Sequence, residues 1–184
     1  MPVQTLNMEK LKNLIHYICY KADSDNLGKT KLNKVLWFSD ATFYLYNNRS
    51  ITGESYLKDR HGPVSKHINK ALSELADERK VFESDVIFHG YPKKEYAVIK
   101  NPNIKDFSVE EISLIDDVIK RVCYESTAGG ISNFTHNEIW EVAEMGEELP
   151  YSAIAFGRAI EPSLDDIEWA KSVIVKRVRE SVGA

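Results

Sequence analysis

The chain has 184 residues, 43% apolar and 28% charged, a composition ordinary for a globular domain that buries its core without a metal or disulfide staple. Its 24 Lys and Arg against 28 Asp and Glu leave a net charge of -4 and a pI near 5.8, which argues against a dedicated nucleic-acid binder. Apolar runs are too short for a membrane span, the opening Met1-Pro2-Val3-Gln4 has no secretory pattern, and Cys19 and Cys123 make no disulfide framework. A reduced, cytoplasmic protein is expected, with 1–184 as a single domain.

Leu11, Leu14, Ile15, Ile18, Cys19 and Ala22 recur on the three-four spacing of one helical face and predict a helix over 8–22. The turn cluster Asp23-Ser24-Asp25-Asn26-Leu27-Gly28 ends it. A second helix is predicted over 31–47. Leu32, Val35, Leu36, Phe43 and Tyr46 form its stripe, and Trp37, Phe38, Tyr44 and Leu45 spread apolar surface to the other sides. A helix apolar nearly all round is enclosed on several sides, so this is the central core helix, with Leu32, Leu36, Phe38 and Phe43 inside.

A short extended piece follows around Ser55-Tyr56-Leu57. Gly62-Pro63 then reads as the start of a third helix bearing Val64, Ile68, Ala71, Leu72 and Leu75. Val86-Ile87-Phe88 and Tyr96-Ala97-Val98-Ile99 alternate like strands and predict a β-hairpin with a basic tip from His89 to Lys94. An internal boundary is placed near 101–107, at Asn101-Pro102-Asn103. Beyond it, Ser108 with Glu111 makes a capping box before Ile112, Ile115, Ile119 and Val122. Thr135 with Glu138 makes a second box for a short helix carrying Ile139, Trp140, Val142 and Ala143, and a last helix is predicted over 162–178. The fold class is mainly α (α+β): a compact bundle of about six helices with one small β-hairpin after the third.

No GxGxxG, GxxxxGK[ST], GxSxG or HExxH pattern occurs. Thr127-Ala128-Gly129-Gly130-Ile131-Ser132 lacks a lysine and reads as a helix end and turn. His136-Asn137-Glu138 matches the H-x-E of zinc deaminases without their P-C-x-x-C, and Glu138 is better explained as half of the capping box. His61 and His67, with Asp40 or Asp59, are a candidate metal or general-base set, against the plainer reading of histidines bonded to loop backbone. Cys19 belongs to the core. No catalytic residue, cofactor or metal is assigned.

Basic residues cluster at Lys29, Lys31 and Lys34, at Lys66, His67 and Lys70, and at Lys93-Lys94. Three helices followed by a hairpin resemble winged-helix order, so a DNA-binding regulator of its own operon is the alternative reading. Aromatics left outside the core would serve as protein-binding anchors.

Lys31-Leu32-Asn33-Lys34-Val35-Leu36-Trp37-Phe38-Ser39-Asp40, then Arg49-Ser50-Ile51-Thr52-Gly53, then His61-Gly62-Pro63-Val64, with the later Thr135-His136, Trp140 and Pro150-Tyr151, resemble the SocA-like antitoxin family, whose shared unit is the Panacea domain. The resemblance spans about 8–160. Ser39 stands where alanine is common, and His61 where an aromatic precedes Gly-Pro. The resemblance implies a bacterial or phage antitoxin that binds a cognate toxin, usually encoded beside it, and that hands it to a protease in one version of the mechanism. Lys31, Lys34, Trp37, Tyr56, His61 and Lys66 are the expected partner contacts, taken as exposed. Leu32, Phe38, Asp40, Gly53, Gly62, Pro63 and Trp140 are the expected structural positions.

Overall fold

The computed structural model describes residues 4–156. The helix expected over 162–178 lies outside them. Helix α1 (Met8–Lys21) is opened by Asn7, whose side chain accepts from the Lys10 amide, and its Leu11, Leu14, Ile15 and Ile18 are fully buried. Helix α2 (Lys29–Asn47) starts at Gly28 and closes at Asn48, which turns left-handed with φ 53°. Every residue from Leu32 to Ala41 is buried, because α1, a later helix pair and a small sheet enclose α2 on all sides. The enclosure stops before its last turn: Tyr46 is 80% exposed, contrary to its place in the predicted core stripe.

Strands β1 (Tyr56–Asp59) and β2 (Gly62–Ser65) follow as an antiparallel pair, and helix α3 begins only at Ile68 and runs to Asp77. This corrects the reading of Gly62-Pro63 as a helix start. Gly62 has φ +96°, outside the helical range, and Pro63 sits opposite Lys58 in the strand pair. Strands β3 (Val81–Phe88) and β4 (Tyr91–Val98) form the hairpin. Its turn is only His89-Gly90, both with positive φ, the pattern of a type I′ turn, so Lys93 and Lys94 lie within β4 and not at the tip.

Ser108 and Glu111 exchange both capping-box bonds at the start of helix α4 (Val109–Ile119), which continues into a π-helical turn, Lys120–Tyr124. The glycine run expected as a helix end instead opens helix α5 (Ala128–Thr135), where the Thr127 hydroxyl accepts from the Gly130 amide. The second capping box is also corrected. Thr135 ends α5, and the cap of helix α6 (Glu138–Val142) is Asn137, whose side chain accepts from the Trp140 amide. Strand β5 (Glu148–Leu149) joins β1 to give a three-stranded sheet ordered β2-β1-β5, and a 3-10 turn (Tyr151–Phe156) packs on α2. The fold is mainly α with two small sheets. One buried cluster runs through it, from Leu11 to Ala153, on both sides of the 101–107 loop.

Candidate functional site

The residues between Lys31 and Pro63 that stand out in the sequence converge on α2 and the β1–β2 pair, and most of them point inward. Asp40 is fully buried. One of its carboxyl oxygens accepts the Thr52 amide at 2.8 Å, and the other accepts the Thr52 hydroxyl at 2.6 Å and the Tyr56 hydroxyl at 2.7 Å. Burial pushes the Asp40 pKa up to about 6, with the Thr52 and Tyr56 bonds pulling the other way. These bonds fasten the turn around Gly53, φ +74°, to the middle of α2. A Cβ at that glycine would land on the Thr5 carbonyl, so the close approach requires its absence.

A second carboxyl anchors the same face of the strand pair, since Tyr56 and Ser65 stand opposite each other in register. Glu54, likewise buried, accepts from the Ser55 amide, from the Ser65 hydroxyl at 3.1 Å and from His67 Nδ1 at 2.9 Å, while the Tyr151 hydroxyl donates to its carbonyl. His67 is therefore tied to Glu54, not to Asp40 or Asp59, and the candidate metal or general-base set does not assemble. Among the described residues no three His, Cys, Asp or Glu side chains are grouped to hold a metal ion. Above the carboxyls lies an aromatic cluster. Trp37 meets Tyr56 edge-on at 5.2 Å and stacks with Tyr151 at 6.2 Å, and Tyr44 closes on Tyr151 at 5.3 Å.

Lys34 makes the third tie. Its ammonium is buried and donates to the His61 carbonyl; together with the Thr135 hydroxyl it fills the space a Cβ at Gly62 would occupy. Burial pulls the Lys34 pKa down to about 7, opposed by the nearby Asp59 charge. Lys34 and His61 line a shallow cleft of about 140 Å³ with Asp59 and Pro63. A larger cleft of about 340 Å³ opens between the first turn of α2 and β4, lined by Lys29, Lys31, Lys93 and Lys94. Beside α6, the His136 ring stacks on Trp140 at 3.7 Å and Lys58 lies 4.2 Å over the indole. Burial lowers the His136 pKa, and Lys34, His61 and Lys58 lower it further.

The family model described as antitoxin SocA-like, Panacea domain, matches residues 32–141, more than half of the chain. The chain belongs to that family. The match runs from the start of the buried stretch of α2 to α6, which is shorter than the 8–160 span expected from the motifs. No curated protein and no solved structure matches the chain.

The frame just described corrects the expectation that all six partner-contact residues are exposed. Lys34 is 1%, Trp37 2% and Tyr56 1% exposed, so these three serve the interior. His61 and Lys66 are exposed, and Lys31 is half-buried with its ammonium on the Cys123 carbonyl. Leu32, Phe38, Asp40, Gly62 and Pro63 are buried, and Trp140 is half-buried against the core. The basic hairpin tip of the winged-helix reading is absent: Lys93 folds back to the carbonyls of Ser24 and Asp25, and Lys94 pairs with Glu83 and Asp85. Glu54 and Tyr151 are the members of the frame that sequence reasoning passed over or left without a role. Their partners stand 13 and 97 residues away, and only the Pro150-Tyr151 pair carried a signal.

Proposed function

We propose that this chain is the antitoxin of a toxin–antitoxin pair and neutralises its toxin by direct protein–protein binding, without catalysis. The observation that carries the reading is the family match over 32–141. The frame supports it. A domain that spends the buried Asp40 and Glu54 carboxyls, the buried Lys34 amine and its aromatic cluster on holding α2, the small sheet and the final turn together offers a rigid body, and a rigid body loses little entropy on binding. The net charge of -4 suits a basic toxin through electrostatic complementarity. His61 and Lys66 are the exposed motif residues left to meet a partner, and the exposed Tyr46 at the end of α2 supplies an aromatic anchor.

The test is co-expression with the product of the neighbouring gene. Growth arrested by the neighbour alone and restored by this chain, with a complex of defined mass on co-purification, is the expected result. A harmless neighbour that does not co-purify overturns the reading. In a rescuing pair, Tyr46→Ala is expected to weaken the complex by about 2 kcal/mol, read as a faster dissociation rate.

A further inference from the structure

Lys29, Lys31 and Lys93 line the larger cleft, with Lys29 shared between it and the smaller one, and the hydrogen-bond partners of all three among the described residues are neutral. Lys31 donates to the Cys123 carbonyl at 2.8 Å, Lys93 to the carbonyls of Ser24 and Asp25, and Lys29 reaches the Asn69 amide oxygen at 3.5 Å. Other described lysines divide: Lys10, Lys12 and Lys21 pair with carboxylates, while Lys34, Lys58 and Lys100 also donate to backbone carbonyls, but those three do not share a cleft with two further unpaired ammonium groups. Lys94, the fourth lysine of the cleft, is also answered, by Glu83 and Asp85. Asp25 at the wall offsets one of the remaining three charges, so the cleft keeps an excess of positive charge.

Lys31 is half-buried, and burial lowers its pKa with the neighbouring Lys93 charge adding to the effect. The Lys31 and Lys93 charges act on each other across the cleft, with Asp25 the one carboxylate among its described lining residues. An anion seated between them would remove that repulsion and take up donor capacity left unused above all at Lys31, whose ammonium carries three donors and meets one carbonyl. The volume of about 340 Å³ falls at the lower end of small-molecule sites, which run from about 300 Å³ upward. Among the described residues no aromatic ring lines the cleft wall for a nucleobase to stack on, and the nearby Phe88 ring is covered by the Lys93 ammonium at 4.3 Å.

We propose that this cleft binds a phosphate-bearing anion, with Lys31 and Lys93 donating to phosphoryl oxygens, Lys29 at the rim, and recognition of the phosphate rather than of a base. The proposal stands independently of the antitoxin reading. Inorganic pyrophosphate is the probe, titrated calorimetrically into the full chain at low salt. Saturable binding is expected, weakened roughly ten- to a hundredfold by Lys31→Met or Lys93→Met and unchanged by Lys105→Met in the distant 101–107 loop.

Thermal melts of each variant establish that it is folded, and Lys29→Met at the rim gives a third, milder reading. A short DNA duplex that binds more tightly than pyrophosphate and competes with it identifies a nucleic-acid backbone as the source of the phosphate. Pyrophosphate binding with no competition by the duplex identifies a free phosphate ligand. Absence of saturable binding by either probe overturns the proposal, as does binding that folded Lys31 and Lys93 variants retain at full strength.

Discussion

Lys34 and Asp40 lie six residues apart on α2, both enclosed, and burial moves their titrations toward neutrality from opposite sides. Asp40, raised to about 6, holds its proton longer in the folded chain than the ordinary value of 3.8 allows in the unfolded one. Its contribution to stability is full below pH 3.8 and is lost as the pH rises through 6. Lys34, lowered to about 7 from 10.5, gives up its proton earlier when folded, so its contribution is full above 10.5 and is lost as the pH falls through 7. Between pH 7 and 8.5, below the ordinary range of the two thiols, Lys34 makes the chain gain stability with rising pH. Lys34→Met is expected to flatten that rise, and Asp40→Asn to flatten the fall between pH 4 and 6, each read from denaturant midpoints across the window. A Lys34→Met profile parallel to the parent's would show that the amine is not desolvated.

At the scale of elements, α2 is the beam on which the rest is hung. Phe38 packs at 5.9 Å against Phe134 of α5 as well as within the core, so Phe38→Ala is expected to cost about 3–5 kcal/mol, measured by thermal or denaturant unfolding. An unchanged melt would remove Phe38 from the core. Long periodic elements were legible in the amino-acid pattern: α1, α2 and α4 with its capping box lie close to where their spacing puts them. Short ones were legible in part: the extended piece at Tyr56-Leu57 lies in β1 and the short helix around Trp140 is α6, but β2 has four residues, too few for alternation to register, and Gly62-Pro63 carries the same two letters at a strand start as at a helix start. α5 was hidden by Gly129 and Gly130, whose weak helix propensity is overridden by the Thr127 cap. For the site, Asp40, Lys34, Trp37 and Tyr56 were all singled out. A helix apolar all round has no outer face to contrast with an inner one, which is why Lys34 and Trp37 were read as exposed; Tyr56, at the start of β1, is buried by the Asp40 bond that the local pattern does not show. Glu54 escaped because its partner His67 is brought alongside only by the β1–β2 pairing.

At the scale of the whole molecule, the turn that ends at Gly53 is held from two directions. From inside it is gripped by Asp40; from outside, residues 4–7 lie across it. The Gln4 side chain bonds both the amide and the carbonyl of Ser50, and the Asn7 amide donates to the Thr52 carbonyl. Gln4→Ala is expected to cost about 1–2 kcal/mol by leaving those Ser50 groups short of a partner, visible as a lower melting temperature. The same overlay bears on where the family's boundary falls. The matched segment begins at Leu32, yet the strap over the turn and all of α1, with Leu11, Leu14, Ile15 and Ile18 in the common core, precede it. The segment that the family model matches and the unit that folds are therefore different lengths of chain. A gene fusion or truncation cut at the family's edge would carry over the motif and leave behind the wall it leans on.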